Sequence, residues 1–141
     1  MPRRVALDTG PLVALIDRDD DFHAMSLDFL MRNSLPTFTT VPVVTEAMYL
    51  LNFSTQGQLN LLEWLRRGNT IVENLQGDDW SRITALTSKY SDLPIEFADA
   101  SVVAVCERLE TKLVATLDSD FNVYRFKDQH AFQNVFLERL K

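Results

Sequence analysis

The chain has 141 residues, of which 14 are basic and 20 acidic, for a formal net charge of −6. That length suits one domain with its own core. A hydrophobic fraction of 46% against 24% charged excludes a wholly disordered chain. No apolar run approaches the roughly 18–20 residues needed to cross a bilayer, and the N-terminus lacks a basic-then-apolar signal pattern. The single cysteine, Cys106, excludes an internal disulfide or a cysteine metal cluster and fits a reducing, cytoplasmic setting. A pI near 4.8 argues against binding nucleic acid by charge attraction alone. A carboxylate cluster that holds divalent cations would itself lower the pI.

In chain order, residues 4–7 (RVAL) form a short strand that ends at Asp8. Gly10-Pro11 then opens a helix, with Pro suited to the first turn. Residues 11–17 and 22–32 read as helices, the second with Phe22, Met25, Phe29 and Leu30 at helical spacing and Asp20 or Asp21 as its cap. Thr37–Thr40 is a strand, and Pro42 starts a helix through Leu51. A helix over 58–67 ends at Gly68-Asn69. Residues 70–73 make another strand, Asp78 or Asp79 caps a helix through Tyr90, and Asp92-Leu93-Pro94 breaks it. A helix over 97–110 and a strand over 112–116 follow, ending at Leu117-Asp118. The tail is mixed, with Asn134–Leu137 as a late edge strand. Strands separated by helices imply an α/β fold with a central parallel sheet of four or five short strands and helices on both faces. The whole chain, 1–141, reads as one domain.

In an open parallel sheet, ligands bind beyond the carboxyl ends of the strands. Asp8 and Asp118 sit there by sequence alone, with Asp120 two residues further on. Asp99 lies near the start of the 97–110 helix and Glu46 in the first turns of the 42–51 helix. Acids from four distant segments thus converge on one sheet edge. Hard cations such as Mg²⁺ or Mn²⁺ need oxygen ligands, and crowded carboxylates tolerate one another best around a cation. Such a site can activate water against a phosphodiester.

Each residue also has an ordinary structural reading. Asp8 or Asp118 can be a turn former or a helix cap, Asp99 a cap, and Glu46 a solvated helix residue. Asp120 and Glu96 read as accessory. The Asp17–Asp21 run is a solvated loop, and His23 and His130 are surface or packing residues. No nucleophile elbow and no phosphate-cradling glycine loop is present.

The order of these segments resembles the PIN-domain ribonucleases, above all the VapC-type toxins of bacterial toxin–antitoxin pairs. It is carried by the DTGPL after the first strand, Glu46 in VVTEAMYLL, Asp99 in FADASVVAVCERL and Asp118 in VATLDSDF. The resemblance spans about residues 4–126. It implies that Asp8 and Asp99 bind Mg²⁺ or Mn²⁺, that Glu46 is the family's acid on the following helix, and that Asp118 completes the metal site directly or through water. Thr116 matches a small hydroxyl residue lining that site. The segment from Asp118 to Phe121 is shorter than in some relatives, which leaves Asp120 accessory, as is Glu96.

The activity implied is metal-assisted endoribonucleolytic hydrolysis of RNA without a covalent nucleophile. Arg3, Arg4, Arg125 and Lys127 are candidate RNA contacts. The resemblance further implies a homodimer, a VapB-like antitoxin partner and no membrane association. The apolar residues of helices 42–51 and 58–67, with Phe53 and Trp64, are candidate contact surfaces for dimer or antitoxin and equally candidates for the protein's own core. Three other readings compete. A PIN-like binding module without activity is disfavoured by the intact acid set. An aspartyl-nucleophile phosphohydrolase is disfavoured because the position two residues after Asp8 is Gly10. A PIN nuclease of RNA processing or of DNA, outside any toxin pair, stays open.

Overall fold

The computed structural model describes residues 3–137. Five strands form one parallel sheet in the order β3-β2-β1-β4-β7: β1 (Val5–Leu7), β2 (Thr37–Thr40), β3 (Ile71–Glu73), β4 (Leu113–Ala115) and β7 (Gln133–Asn134). Six helices flank it: α1 (Thr9–Ile16), α2 (His23–Arg32), α3 (Val41–Leu50), α4 (Thr55–Arg66), α5 (Gly77–Lys89) and α6 (Phe97–Arg108). Successive side chains on a strand point to opposite faces. Every residue of β1, β2 and β4 is nevertheless buried, so both faces of the sheet centre are covered. This is the expected parallel α/β architecture.

The register sets the rim. Val5 and Ala6 lie opposite Thr37 and Phe38, and Ala6 and Leu7 opposite Val114 and Ala115. Asp8, one residue past β1, therefore sits level with the end of β4, and its N–H donates to Ala115 O at 3.0 Å. The polar β2, TFTT, can be buried because its hydroxyls have partners. Thr37 bonds Thr70, Thr39 donates to Leu7 O at 2.8 Å, and Thr40 meets Ser101 at 2.7 Å. Thr40 also caps α3, accepting from the Val43 N–H. One side chain thereby fixes β2, α3 and α6 together. Helix α6 is buried from Ala98 through Cys106, and its Ala and Ser residues let backbone approach closely on more than one side.

Several boundaries differ from expectation, each for a local reason. Helix α2 has Phe22 at its cap position; Asp20 instead turns its Oδ1 to the Phe22 N–H at 2.8 Å. Phe22 and Met25 are partly exposed, leaving Phe29 as the buried apolar anchor of that helix. Helix α4 starts three residues early because Ser54 accepts from the Gly57 N–H and caps it. In α5 the cap position is Gln76, and Asp79 reaches back to its N–H at 2.9 Å while pairing with Arg108. Helix α6 stops at Arg108, and Glu110 takes a left-handed φ of 56°. The late strand is Gln133–Asn134 rather than 134–137.

The region read as mixed also holds an antiparallel hairpin, β5 (Arg125–Phe126) with β6 (His130–Ala131). Lys127 and Asp128 turn it with positive φ at both central positions, 51° and 62°. That geometry favours Asn-Gly, so Lys-Asp gave no hairpin signal.

Gly10 ties the first helix to the Asp118 loop. A Cβ on residue 10 would stand 3.1 Å from Leu117 Cβ, closer than packing allows without movement. Gly10→Ala is expected to destabilise by about 1–2 kcal/mol through overpacking, read as a lower thermal midpoint. An unchanged midpoint would mean that Leu117 gives way freely.

Candidate metal centre

Asp8 occupies the N-cap position of α1, yet its side chain makes no capping bond. Its Oδ2 instead accepts from the Thr116 hydroxyl at 2.8 Å, and its Oδ1 is buried without any hydrogen-bond partner. The ordinary reading of Asp8 as a cap therefore fails. Buried carboxylate oxygens are rarely left orphaned, and an oxygen-seeking cation fits this one.

Asp118 departs from that pattern. It opens a 3₁₀ turn over Ser119–Asn122, and its Oδ1 accepts from the Asp120 N–H at 2.9 Å, so it does cap. Its own N–H donates to the Thr116 hydroxyl at 2.9 Å. Asp99 lies in the first turn of α6, three residues past the cap position Glu96. One carboxylate oxygen each from Asp8, Asp99 and Asp118 lies within 4.8 Å of the others. Three hard anionic donors at that separation suit one divalent cation. The helix start that carries Asp99 adds a positive dipole end.

The same cleft is lined by Thr9, Gly10, Glu46, Leu50, Glu96 and Leu117. Glu46 projects from the middle of α3, and Glu96 is exposed on the rim. The structure thus brings Asp8, Glu46, Glu96, Asp99 and Asp118 together, with Thr116 directly behind Asp8. Asp120 is half-buried and does not line this cleft; its charge instead bears on Tyr124.

The four basic residues are not brought to the cleft. Arg4 precedes β1, at the opposite end of the strand from Asp8, and lies 3.8 Å from Glu73. Arg3 stands beside it in sequence and is exposed. Arg125 donates to the Asn122 and Tyr124 carbonyls, and Lys127 pairs with Glu110 at 2.8 Å. His23 is a packing residue, its Nδ1 2.7 Å from Ala14 O, and His130 is exposed on β6.

Two groups have no sequence signal. The Thr9 hydroxyl, in the cleft wall, is buried without a partner. The Tyr124 hydroxyl donates to Asp99 Oδ2 at 3.4 Å. Tyr124 arrives from beyond the 3₁₀ turn, and its ring is held edge-on between Tyr90 and Phe121.

Crowding leaves its mark on acidity. Burial, then the charges of Asp8 and Asp118, push Asp99 up to about 9. Burial raises Asp8 as well, with Asp118 and Glu96 adding to it, while the Thr116 hydrogen bond and the nearby Thr9 backbone N–H work against it. Glu46 is raised by burial and by Glu96 and Asp8. Tyr124 is raised by burial and by Asp99, which keeps it a neutral donor. Such a shift favours a protonated Asp99 near neutral pH, which eases the repulsion among the three acids.

A short parallel sheet with aspartates from three chain segments gathered at its carboxyl rim defines an α/β domain with a carboxylate cluster that could hold a metal ion. The chain belongs to the PIN-domain family, whose model matches residues 5–127. It is 26% identical over 114 residues to Ribonuclease VapC26 of Mycobacterium tuberculosis (strain ATCC 25618 / H37Rv), covering 79% of this chain and 84% of that relative. Among solved structures it resembles Mycobacterium tuberculosis VapC20, a sarcin-ricin loop cleaving toxin, with a TM-score of 0.79 at 19% identity, covering 84% of this chain and 93% of that one. It also resembles VapBC2 of Rickettsia felis, solved bound to a DNA fragment from its promoter, with a TM-score of 0.62 at 16% identity over 84% and 90% of the two chains. At these identities the structural likenesses establish the fold.

A carboxyl whose folded pKa is raised lends stability that is present at low pH and lost as the pH climbs through the folded value. With Asp99 moving from 3.8 to about 9, thermal midpoints in EDTA are expected to fall between roughly pH 4 and 9. Asp99→Asn is expected to flatten that slope and to be more stable at neutral pH by on the order of 1 kcal/mol, roughly 4 °C. A mutant that melts well below wild type in EDTA would count against a crowded site.

Proposed function

We propose that this chain is a metal-dependent endoribonuclease and the toxin of a VapBC-type pair, with RNA as substrate. The observations that carry the reading are a buried Asp8 oxygen without a hydrogen-bond partner and one carboxylate oxygen each of Asp8, Asp99 and Asp118 within cation-sharing distance. The relationship to Ribonuclease VapC26 supplies the substrate class.

On this reading Asp8, Asp99 and Asp118 hold Mg²⁺ or Mn²⁺; oxygen donors of this kind accept either ion. When bound, the cation lowers the pKa of a coordinated water and offsets negative charge on the phosphate. The protein's own groups do the rest. Thr116 keeps Asp8 Oδ2 occupied, so that Oδ1 is the oxygen offered to the cleft. Tyr124 orients Asp99. Glu46 takes the proton released by the attacking water, its raised pKa bringing it nearer the working pH of a general base. Glu96, exposed on the rim, is accessory. Among the described residues that line the cleft there is no cysteine, serine or histidine to serve as a covalent nucleophile, so direct water attack is the consistent route.

The partners follow the same reading: a VapB-like antitoxin and a second copy of this chain. Tyr49, Leu50, Phe53, Leu59 and Leu62 of the α3–α4 region are largely exposed and form the surface offered to them. Trp64, also expected on that surface, is half-buried and donates to Thr70. No helix among the described residues is long and apolar enough to cross a membrane, and we place the protein in the cytoplasm.

Purified protein free of any antitoxin is expected to cleave a mixed RNA pool with Mn²⁺ and not with EDTA, with Asp99→Asn inactive. Metal-independent cleavage, or cleavage kept by Asp99→Asn, would defeat the reading. Mn²⁺ is also expected to raise the wild-type thermal midpoint and to raise it far less in Asp8→Asn. Equal shifts in the two proteins would favour a binding module without a metal centre.

A further inference from the structure

The metal centre is buttressed from a part of the chain beyond the 5–127 family match. Strand β7 pairs in parallel with β4, through Leu113 with Gln133 and Val114 with Asn134. Its backbone bonds run Gln133 N–H to Lys112 O at 2.8 Å and Val135 N–H to Val114 O at 2.9 Å. The backbone ladder on that side ends there. Thr116 lies one residue past β4, is 1% exposed, and still has a peptide N–H and C=O to satisfy.

The Asn134 side chain takes both. Its Oδ1 accepts from the Thr116 N–H at 3.2 Å, and its Nδ2 donates to Thr116 O at 2.9 Å. A carboxamide offers one acceptor and two donors, so here it substitutes for a strand residue. The Phe136 N–H also donates to Oδ1, at 3.2 Å, which fixes the amide's orientation. Thr116, held by its backbone, then uses its hydroxyl on both sides: it donates to Asp8 Oδ2 at 2.8 Å and accepts from the Asp118 N–H at 2.9 Å. Two carboxylates from the ends of adjacent strands are therefore set by one threonine, and that threonine by one asparagine.

We infer that Asn134 is a positioning residue for the acid cluster, acting through the Thr116 backbone to set Asp8 and Asp118 for a divalent cation. It does not line the acid cleft itself. It lines a neighbouring cavity of about 170 Å³, together with Thr116, Asp118, Phe121 and Phe132. The inference extends the metal-centre reading and depends on the ribonuclease reading only for its activity measurement. Residues that orient metal ligands through hydrogen bonds typically matter 10–100-fold in metal affinity or activity.

The test uses the full chain with Mn²⁺ as the probe. Asn134→Asp keeps the acceptor and loses the donor to Thr116 O; Asn134→Leu keeps the bulk and loses both. Gln133→Ala, on the same strand with an exposed side chain, is the control for tail docking. Calorimetric Mn²⁺ affinity is expected to fall about 10-fold or more in both Asn134 variants and to stay at the wild-type value in Gln133→Ala. RNA cleavage by the variants is expected to recover as Mn²⁺ is raised. Folding is checked by circular dichroism in EDTA.

A cycle with Thr116→Val separates positioning from plain stability. That change removes the hydroxyl but leaves the backbone to which Asn134 binds. If Asn134 acts through the threonine, adding Asn134→Asp to Thr116→Val costs little further Mn²⁺ affinity. Fully additive losses, or folded Asn134 variants with wild-type Mn²⁺ affinity, overturn the inference. Should Asn134→Leu fail to fold, Asn134→Asp and the cycle still decide. Weakened Mn²⁺ binding in the variants, beside a wild type that binds Mn²⁺ but cleaves no RNA, upholds the positioning role and removes the ribonuclease reading instead.

Discussion

Carboxylates held within 4.8 Å of one another repel by roughly 3–4 kcal/mol per charged pair at the effective dielectric of a protein near its surface. Folding must overcome that repulsion with no cation yet in place, and the surroundings of the cluster answer it. One of the three acids keeps a proton. The second is braced by a threonine hydroxyl and the third by a backbone N–H. None of the three is given an arginine or lysine partner among the described residues, although such partners bind acids elsewhere in this chain. Arg82 neutralises Glu107 and Asp128, and Arg108 neutralises Asp79. At the rim no such counter-cation is supplied among the described residues, and the three acids could hold a metal ion in its place.

The rim is stiffened by hydroxyls rather than by charges. Thr39 to Leu7 O, Thr40 to Ser101 and Thr116 to Asp8 link neighbouring strands and the two helices that bring Glu46 and Asp99. A hydroxyl can both donate and accept, so it joins elements without adding net charge to a pocket already strongly negative. Neutral links also leave the potential in the cleft attractive to a cation. The strain is local: Asp8 Oδ1 and the Thr9 hydroxyl, adjacent in sequence, are the buried side-chain polar atoms left without partners among the described residues.

The parallel sheet and the acids at its carboxyl edge were legible because strand-terminal aspartates and helix-starting prolines are local features. Asp8 and Asp118 each follow a strand and Asp99 lies in the first turn of α6, and topology alone draws such positions to one edge; Glu46 reaches the same edge from the middle of α3. The caps of α2 and α5 differ from the expected residues because Asp20 and Asp79 take the backbone N–H groups of the cap residues Phe22 and Gln76, from two positions before and three positions after them. Tyr124 and Asn134 gave no signal at all. Each reaches its partner across a large sequence gap through its side chain, Tyr124 by one bond and Asn134 by two, and a lone Tyr or Asn in a mixed tail looks like any other. The four basic residues failed to reach the cleft for a related reason: composition locates charge along the chain, but the N-terminal end of β1 and the β5–β6 hairpin lie away from the rim.

The strand order β3-β2-β1-β4-β7 puts the first strand made at the centre and the last at an edge. A polypeptide leaves the ribosome N-terminus first, so Asp8 and Glu46 emerge well before Asp99, Asp118 and Asn134. An incomplete chain has no β4 beside β1 and hence no carboxylate cluster. On the proposed reading, with RNA as the substrate, this order separates manufacture from activity. The nascent chain, tethered to messenger, transfer and ribosomal RNA at once, carries no assembled site until nearly all of these 141 residues have been translated.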